Sequence, residues 1–142
     1  MLGIVALLIV AGFGTALLLY HRATAPNRTS PDVSVDNFLR AVLVDQNDDE
    51  AKQYMCSNPA SLTQLAAFRD MFINNEKKLG GGASFVWGTL PVTPQGNQDS
   101  VQADIDVSTS GGRSQPGASS HRWLFSVVNE SGWRVCGAQQ LS

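Results

Sequence analysis

The chain has 142 residues, a formal net charge of -2, two cysteines and two histidines. Once an apolar N-terminal segment is set aside, about 100 residues remain, which is enough for one domain with one core. No basic stripe is present, so a nucleic-acid partner is not expected. His21 and His121 lie far apart, and no Cys/His cluster has metal-ligand spacing. We therefore predict neither a metal nor a cofactor.

The N-terminal segment is apolar enough to cross a membrane. Residues 2–20 carry no charge, and a helix of about 19 residues spans about 28 Å, against a bilayer core of roughly 30 Å. Tyr20, His21 and Arg22 follow as interfacial residues. We predict a transmembrane anchor over residues 1–21.

A cleaved signal peptide is the rival interpretation of this segment. The apolar run is longer than a usual signal-peptide core, and no basic region precedes it. Residues 23–25 resemble a cleavage site, but Pro26 would follow the cut and should block it. An uncleaved anchor in the lipid bilayer is the favoured interpretation. Within it, Gly12 and Ala16 form a small-xxx-small pair that would let another helix pack closely.

The orientation of the anchor depends on two conflicting signals. Arg22 and Arg28 follow the apolar run, and the positive-inside rule would keep the domain in the cytoplasm. Large domains cross membranes largely regardless of such charges, and a cysteine pair in separate elements fits an oxidising compartment. We predict a single-pass protein of the cytoplasmic membrane with a cytoplasmic N-terminus and an extracytoplasmic domain.

The first half of the domain has helical periodicity. Residues 22–34 contain two prolines and no apolar period, so they are predicted to be a flexible tether before a domain over residues 35–142. Ser34 is a candidate N-cap for an amphipathic helix, whose apolar stripe is Val35, Phe38, Leu39, Val42 and Leu43.

Two further helices are predicted before a run of glycines. Asp48 or Asp49 can cap a short helix that ends at Cys56, and Ser61 can cap a third helix that reaches about Asn74. Residues 80–82 are three successive glycines, which end the helical region.

The second half changes to a period of two. Residues 84–92, 101–107, 122–129 and 133–138 are predicted strands, and residues 108–120 a flexible low-complexity loop. Three helices followed by a four-stranded antiparallel meander predict an α+β domain with the helices packed on one face of the sheet.

These segments resemble a known family. The helix ending in Ala51-Lys52-Gln53-Tyr54-Met55-Cys56 and the strand Gly132-Trp133-Arg134-Val135-Cys136 are similar to membrane-anchored NTF2-like (cystatin-like) domains of actinobacterial envelopes, which include lipid-import-associated proteins and proteins of unknown function. The resemblance covers roughly residues 35–138. It implies a curved antiparallel sheet wrapped around helices to form a cone-shaped cavity, and no particular activity.

Cys56 and Cys136 are predicted to form a disulfide, because each lies in an element that should pack and the inferred compartment is oxidising. The alternative is a pair of buried free thiols. The absence of a C-x-x-C motif makes a catalytic redox pair the weaker interpretation.

The titratable residues do not form a clear catalytic constellation. His121 could serve as a base, but it is interpreted as an exposed histidine at a strand edge, since no carboxylate is placed to orient it. Asp104 and Asp106 alternate with a core face and are predicted to face solvent. The acidic cluster, interpreted as helix caps rather than a calcium site, is Asp45, Asp48, Asp49 and Glu50.

Trp87, Trp123 and Trp133 lie on predicted strands, where they could line an apolar pocket or simply fill the cone. Because no catalytic site is evident, we expect a non-enzymatic accessory subunit whose partners are an integral membrane complex and the bilayer. Respiratory, lipid-import and cell-wall machineries are all candidates. A binder of lipid or another small apolar ligand and an isomerase- or cyclase-like enzyme are the alternatives.

Overall fold

A computed structural model describes residues 25–112 and 116–142. The helical elements are α1 (Pro31–Leu39) with a π-helical turn (Arg40–Val44), α2 (Asp48–Ala51) with a 3-10 turn (Lys52–Tyr54), and α3 (Thr63–Leu79). The strands are β1 (Met55–Ala60), β2 (Gly81–Trp87), β3 (Val92–Thr93), β4 (Gln98–Gly111), β5 (Gly117–Asn129) and β6 (Trp133–Gln140). The predicted α+β class is confirmed.

The membrane prediction falls on residues beyond this description. Among the described residues, no helix is long and apolar enough to cross a bilayer. The predicted anchor over residues 1–21, with Gly12 and Ala16, lies outside the described ranges.

Helix α1 begins earlier than the sequence predicts. Ser30 takes the N-cap position in extended backbone and Pro31 follows in the first turn, where its fixed φ suits a helix and its missing N–H is not needed. Ser34, the predicted N-cap, is instead buried inside the helix, and its hydroxyl donates to the carbonyl of Trp133 at 2.7 Å. Pro31, at the first helical position, is the sequence signal that favours Ser30 over Ser34 as the N-cap. Residues 31–34 therefore belong to the domain rather than to the tether.

The second helix is shorter than predicted and is capped by another residue. The side-chain oxygen of Asn47, rather than that of Asp48 or Asp49, accepts from the backbone N–H of Glu50 at 3.1 Å. The helix gives way to the strand β1 before it reaches Cys56, which the sequence analysis had placed at a helix end.

Within the described ranges the sheet has six strands, rather than the four predicted. Its order is β1-β6-β5-β4-β2, and the short β3 also pairs with β4. Strand β1 runs parallel to β6, whereas the other pairs are antiparallel. The β1 sequence, MCSNPA, contains a proline and lacks alternation, so pairing with β6 rather than its own pattern makes it a strand.

The ladder between β4 and β5 replaces most of the predicted flexible loop. It extends from Gln98 beside Val128 to Thr109 beside Gly117. Residues 108–111 and 117–120 were predicted to be flexible, because serine and glycine are poor strand formers. Here they continue long strands whose central parts are strongly apolar, so cross-strand pairing overrides local propensity.

The core lies between the helices and one face of the sheet. The predicted alternation of β4 is confirmed: Val101, Ala103, Ile105 and Val107 are buried, and Asp104 and Asp106 are exposed. The largest fully buried side chains include Trp123, Phe38, Phe125, Leu39, Leu43 and Leu65. Burying apolar surface contributes a free energy of roughly 25 cal/mol per Å². The burial of these side chains therefore holds the helices against the sheet.

Candidate functional site

The two cysteines form the predicted disulfide. The sulfurs of Cys56 and Cys136 are 2.05 Å apart and the Cα atoms 5.1 Å apart. Cys56 is on β1 and Cys136 is on β6, so the bond joins the parallel edge strand to the strand beside it in the sheet. The prediction of a disulfide is confirmed, although the first cysteine lies on a strand rather than at a helix end.

Polar contacts reinforce the same edge of the sheet. The Arg134 guanidinium donates to the carbonyls of Gln53 and Met55 at 3.3 and 3.2 Å. The Glu130 carboxylate accepts from both the backbone N–H and the hydroxyl of Ser57, at 3.1 and 2.9 Å. These contacts satisfy polar groups at the start of β1, so this region fastens the edge strand and needs no ligand to explain it.

His121 lies on the inward side of the sheet, which corrects the interpretation of it as an exposed strand-edge residue. It is two residues before the buried Trp123 on β5, so both side chains point to the core face. Its imidazole is only partly exposed and packs against the rings of Phe68 and Phe72, with centroids 5.0 and 5.6 Å away. The alternation of β5 was the signal that could have revealed this position.

The hydrogen-bond partners of His121 are uncharged. Its Nε2 lies 2.9 Å from the Ser119 hydroxyl, and its Nδ1 lies 3.2 Å from the amide nitrogen of Gln140. A hydroxyl and a carboxamide can each donate or accept, so these two partners suit either tautomer of the imidazole. A catalytic histidine is usually oriented by a carboxylate, whereas this one is held by a hydroxyl and an amide.

An aromatic cluster closes the space beneath His121. Phe68 is its centre, with ring centroids 5.3 Å from Trp123, 5.2 Å from Phe72 and 6.1 Å from Phe85. Edge-on and tilted arrangements at these distances are favourable between aromatic rings. The indole N–H of Trp123 is buried and has no hydrogen-bond partner in the described part of the chain. The cluster therefore fills the end of the cone with side chains instead of leaving it open.

The three tryptophans occupy different environments. Trp123 is 1% exposed and stacks on Phe125 inside the core, at 6.4 Å. Trp87 and Trp133 pack at the margin of the core. The Trp87 indole N–H donates to the Asp36 carboxylate at 2.8 Å, and Trp87 borders an open groove of about 220 Å³. The side chains that could line a ligand pocket thus serve mainly as packing.

The acidic cluster before β1 is occupied by ion pairs and caps. The nearly buried Arg69 donates to Asp48 at 2.8 Å, to Asp70 at 2.8 Å and to the carbonyl of Val42 at 3.0 Å. The Asp70 bond is the main reason that the pKa of Arg69 is raised. Asp49 pairs with Lys52 at 2.7 Å. Within residues 25–112 and 116–142, no group of three or more metal-ligating side chains converges.

Comparison with known proteins supports the assignment of the fold and does not place the chain in a narrower protein family. No family model and no curated protein matches the chain. Among solved structures, a protein named as an aromatic ring hydroxylase from Novosphingobium aromaticivorans is 16% identical, with a TM-score of 0.51 over 75% of this chain and 82% of that one. A domain named as a calcium/calmodulin-dependent protein kinase type II association domain from Thiobacillus denitrificans is 17% identical, with a TM-score of 0.52 over 82% and 99%.

A third match is more distant. Bd1075 of Bdellovibrio bacteriovorus is 6% identical, with a TM-score of 0.49, and the match covers 75% of this chain but 37% of that chain. The hydroxylase-type and association domains have NTF2-like folds, so the fold of this domain is NTF2-like, as the resemblance implied. At these identities the likeness concerns the fold alone.

Proposed function

We propose that this chain is a non-catalytic accessory subunit of a larger membrane assembly in an actinobacterial cell envelope. In this proposal, residues 1–21 anchor it in the cytoplasmic membrane, and the domain outside docks on an integral membrane partner. The partner belongs to respiratory, lipid-import or cell-wall machinery. The resemblance in sequence motivates the envelope, and the NTF2-like fold supplies a stable body for docking.

The filled interior of the domain is the observation that carries this proposal. Ligand pockets usually enclose about 300–1,000 Å³ lined by apolar groups. Here the space between the helices and the sheet is occupied by three aromatic side chains that are nearly or fully buried, namely Trp123, Phe125 and Phe38. An apolar groove at the surface, bounded in part by Met55 and Leu62, has a volume of about 140 Å³. The larger surface grooves, of about 400 and 460 Å³, are open and lined mainly by polar residues, which does not suit an apolar ligand. These observations favour a domain whose surface docks on a partner, rather than a domain whose cavity binds a lipid.

An enzyme remains the second candidate, because His121 faces inward. An isomerase- or cyclase-like reaction in this fold needs an acid or base aimed at an enclosed substrate. His121 meets Ser119 and Gln140 on its two nitrogens, and Phe68 and Phe72 cover its ring. Two uncharged partners and two aromatic rings therefore surround the imidazole, with no carboxylate among these contacts to activate it as a base, so the accessory role is preferred.

The association domain from Thiobacillus denitrificans offers a precedent for this use of the fold. Its name assigns that domain to association. An NTF2-like body can therefore serve assembly, and the filled interior here suits such a role.

Co-purification tests the proposed function. Full-length protein tagged after Ser142 is extracted in mild detergent and its partners are identified by mass spectrometry. We expect a stoichiometric integral membrane partner, recovered equally with wild type and with His121→Gln. Recovery of an isolated chain with no such partner would refute the accessory role. Loss of biological function in His121→Gln, with the partner retained, would favour the enzyme.

A further inference from the structure

The two edges of the sheet are protected to very different degrees. At one edge, β1 is short, contains Pro59, pairs irregularly with β6 and is tied down by the disulfide. At the other edge, β2 pairs with β4 over all seven residues from Gly81 to Trp87. No strand lies along the far side of β2 in the part of the chain that the structure describes.

Strand β2 lacks the features with which proteins usually block edge pairing. Its sequence, GGASFVW, has no charged residue and no proline, whereas natural edge strands carry lysine, proline or bulges against such pairing. The register with β4 is continuous, without a bulge. In an antiparallel ladder, alternate residues of an edge strand direct N–H and C=O groups outward. Strand β2 is therefore a regular template for one more strand.

The side chains of β2 are complementary to β2 itself when two copies run antiparallel. The first three residues, 81–83, are small, and the last three, 85–87, are large. A two-fold axis through Ser84 sets Gly82 opposite Val86 of the second copy and Gly81 opposite Trp87. Large side chains placed across from strand glycines cover exposed backbone and stabilise the pair. A side chain at Gly82 would meet nothing within 4 Å, so packing within the described chain does not require glycine there, whereas a Cβ at Gly81 would lie 2.8 Å from the carbonyl oxygens of Ser110 and Gly111. Gly82 is therefore the glycine that the paired strand would explain.

The charges at the two ends of β2 favour the same arrangement. Lys77 and Lys78 end helix α3 just before β2 begins. At the far end, the exposed Asp106 lies beside Val86, whereas the charge of Asp36 is already balanced by Arg40 at 3.4 Å. Antiparallel pairing about Ser84 brings the lysine end of each copy toward Asp106 of the other.

Exposed apolar side chains border the same edge. Val86 is 57% exposed and Val44 is 50% exposed, and both border the groove of about 220 Å³ beside Trp87. Exposed apolar surface next to unpaired strand edges is typical of an interaction site.

We propose that β2 pairs antiparallel with β2 of a second copy of this chain, with the two-fold axis at Ser84. Such an interface is isologous, so it closes as a dimer and does not propagate. The proposal goes beyond the accessory role and does not depend on it.

Site-specific cross-linking in the full-length protein tests this dimer. Both native cysteines are in the disulfide, so an introduced cysteine is the reactive one. Ser84→Cys is compared with Ser108→Cys, its matched control, since Ser108 is the exposed partner of Ser84 one strand further in. With a short bismaleimide in mild detergent, we expect at least about tenfold more dimer from Ser84→Cys, because only a residue on the axis meets its own copy.

A charge variant supplies the second measurement. Ser84→Lys sets two lysines across the axis, and like charges directly opposite oppose pairing. We expect it to shift full-length protein toward the monomer by about tenfold in dimer dissociation constant, while Ser108→Lys leaves the dimer intact. Circular dichroism checks that both variants fold.

The outcomes separate the dimer from other uses of this edge. Equal cross-linking of the two cysteine variants, or a dimer that persists in folded Ser84→Lys, overturns the proposal. Cross-linking of Ser84→Cys to a different protein overturns it too, and assigns the edge to that partner. Recovery of the membrane partner with Ser84→Lys would leave the accessory role standing even if the dimer is absent.

Discussion

The disulfide gives a prediction whose magnitude follows from the structure. The sequence separation of Cys56 and Cys136 is 80 residues, and closing a loop of that length lowers the entropy of the unfolded chain by an amount worth about 4.5 kcal/mol at 25 °C. A domain of this size loses roughly 4 °C of melting temperature per kcal/mol. We therefore expect the Cys56→Ser, Cys136→Ser double variant to melt roughly 15 °C or more below oxidised wild type.

The assay is thermal unfolding of full-length protein, followed by tryptophan fluorescence with and without a reductant. Reductant should lower the melting temperature of wild type to nearly that of the double variant, and should leave the double variant unchanged. The comparison separates the covalent bond from the effect of placing serine at the buried position of Cys56. If reductant removes the bond but lowers the melting temperature of wild type by less than about 5 °C, the loss is far below the expected one. The entropic argument would then be wrong.

Further predictions concern packing, pH, the anchor and catalysis. Trp123→Ala should cost about 3–5 kcal/mol in urea unfolding, because it empties a site that is 1% exposed; Val86→Ala at an exposed site should cost far less. A hydrogen bond from the Ser30 hydroxyl lowers the pKa of Asp32 below its ordinary 3.8. The stabilisation from this bond is therefore complete above about pH 4, and it is lost as pH falls through the lowered pKa. Ser30→Ala should thus destabilise at pH 7 and match wild type in acid. A fragment that begins at Asn27 should be soluble and folded, whereas the full chain should need detergent; extraction of the full chain from membranes by carbonate would contradict this. Asp104→Asn should leave function intact, measured by complementation, since Asp104 pairs with Arg122 in solvent at 2.7 Å.

Strand β4 was predictable from sequence because one face of it is buried. Alternation of apolar residues with Asp104 and Asp106 fixes both the strand and its inward side. The disulfide could also be predicted, since the chain has two cysteines and both were predicted to lie in packed elements. These features depend on local pattern or on residue type, and both are visible in a single sequence.

Strand β1 could not be predicted in the same way. Its residues form a strand because β6 lies beside them, and a parallel partner 80 residues away leaves no local periodic signal. His121 was missed for another reason. The strand was predicted to begin at Arg122, so the histidine was interpreted as an exposed residue at the strand edge, although β5 starts at Gly117 and its inward-facing series includes His121.

The way the chain enters the domain would determine how far the domain could extend from a membrane if the predicted anchor exists. The carbonyl of Arg28 accepts from the backbone N–H of Trp133 at 3.0 Å, and the Asn27 carbonyl accepts from the side-chain amide of Asn37 at 3.1 Å. If the anchor ends at residue 21, as the sequence predicts, five residues, 22–26, separate it from Asn27, which is bonded to the domain. Fully extended, five residues cover no more than about 18 Å. The domain would then be held against the bilayer surface. A pulling force on residues 22–26 would act on β6 before any other strand of the sheet, and the disulfide joins β6 to β1.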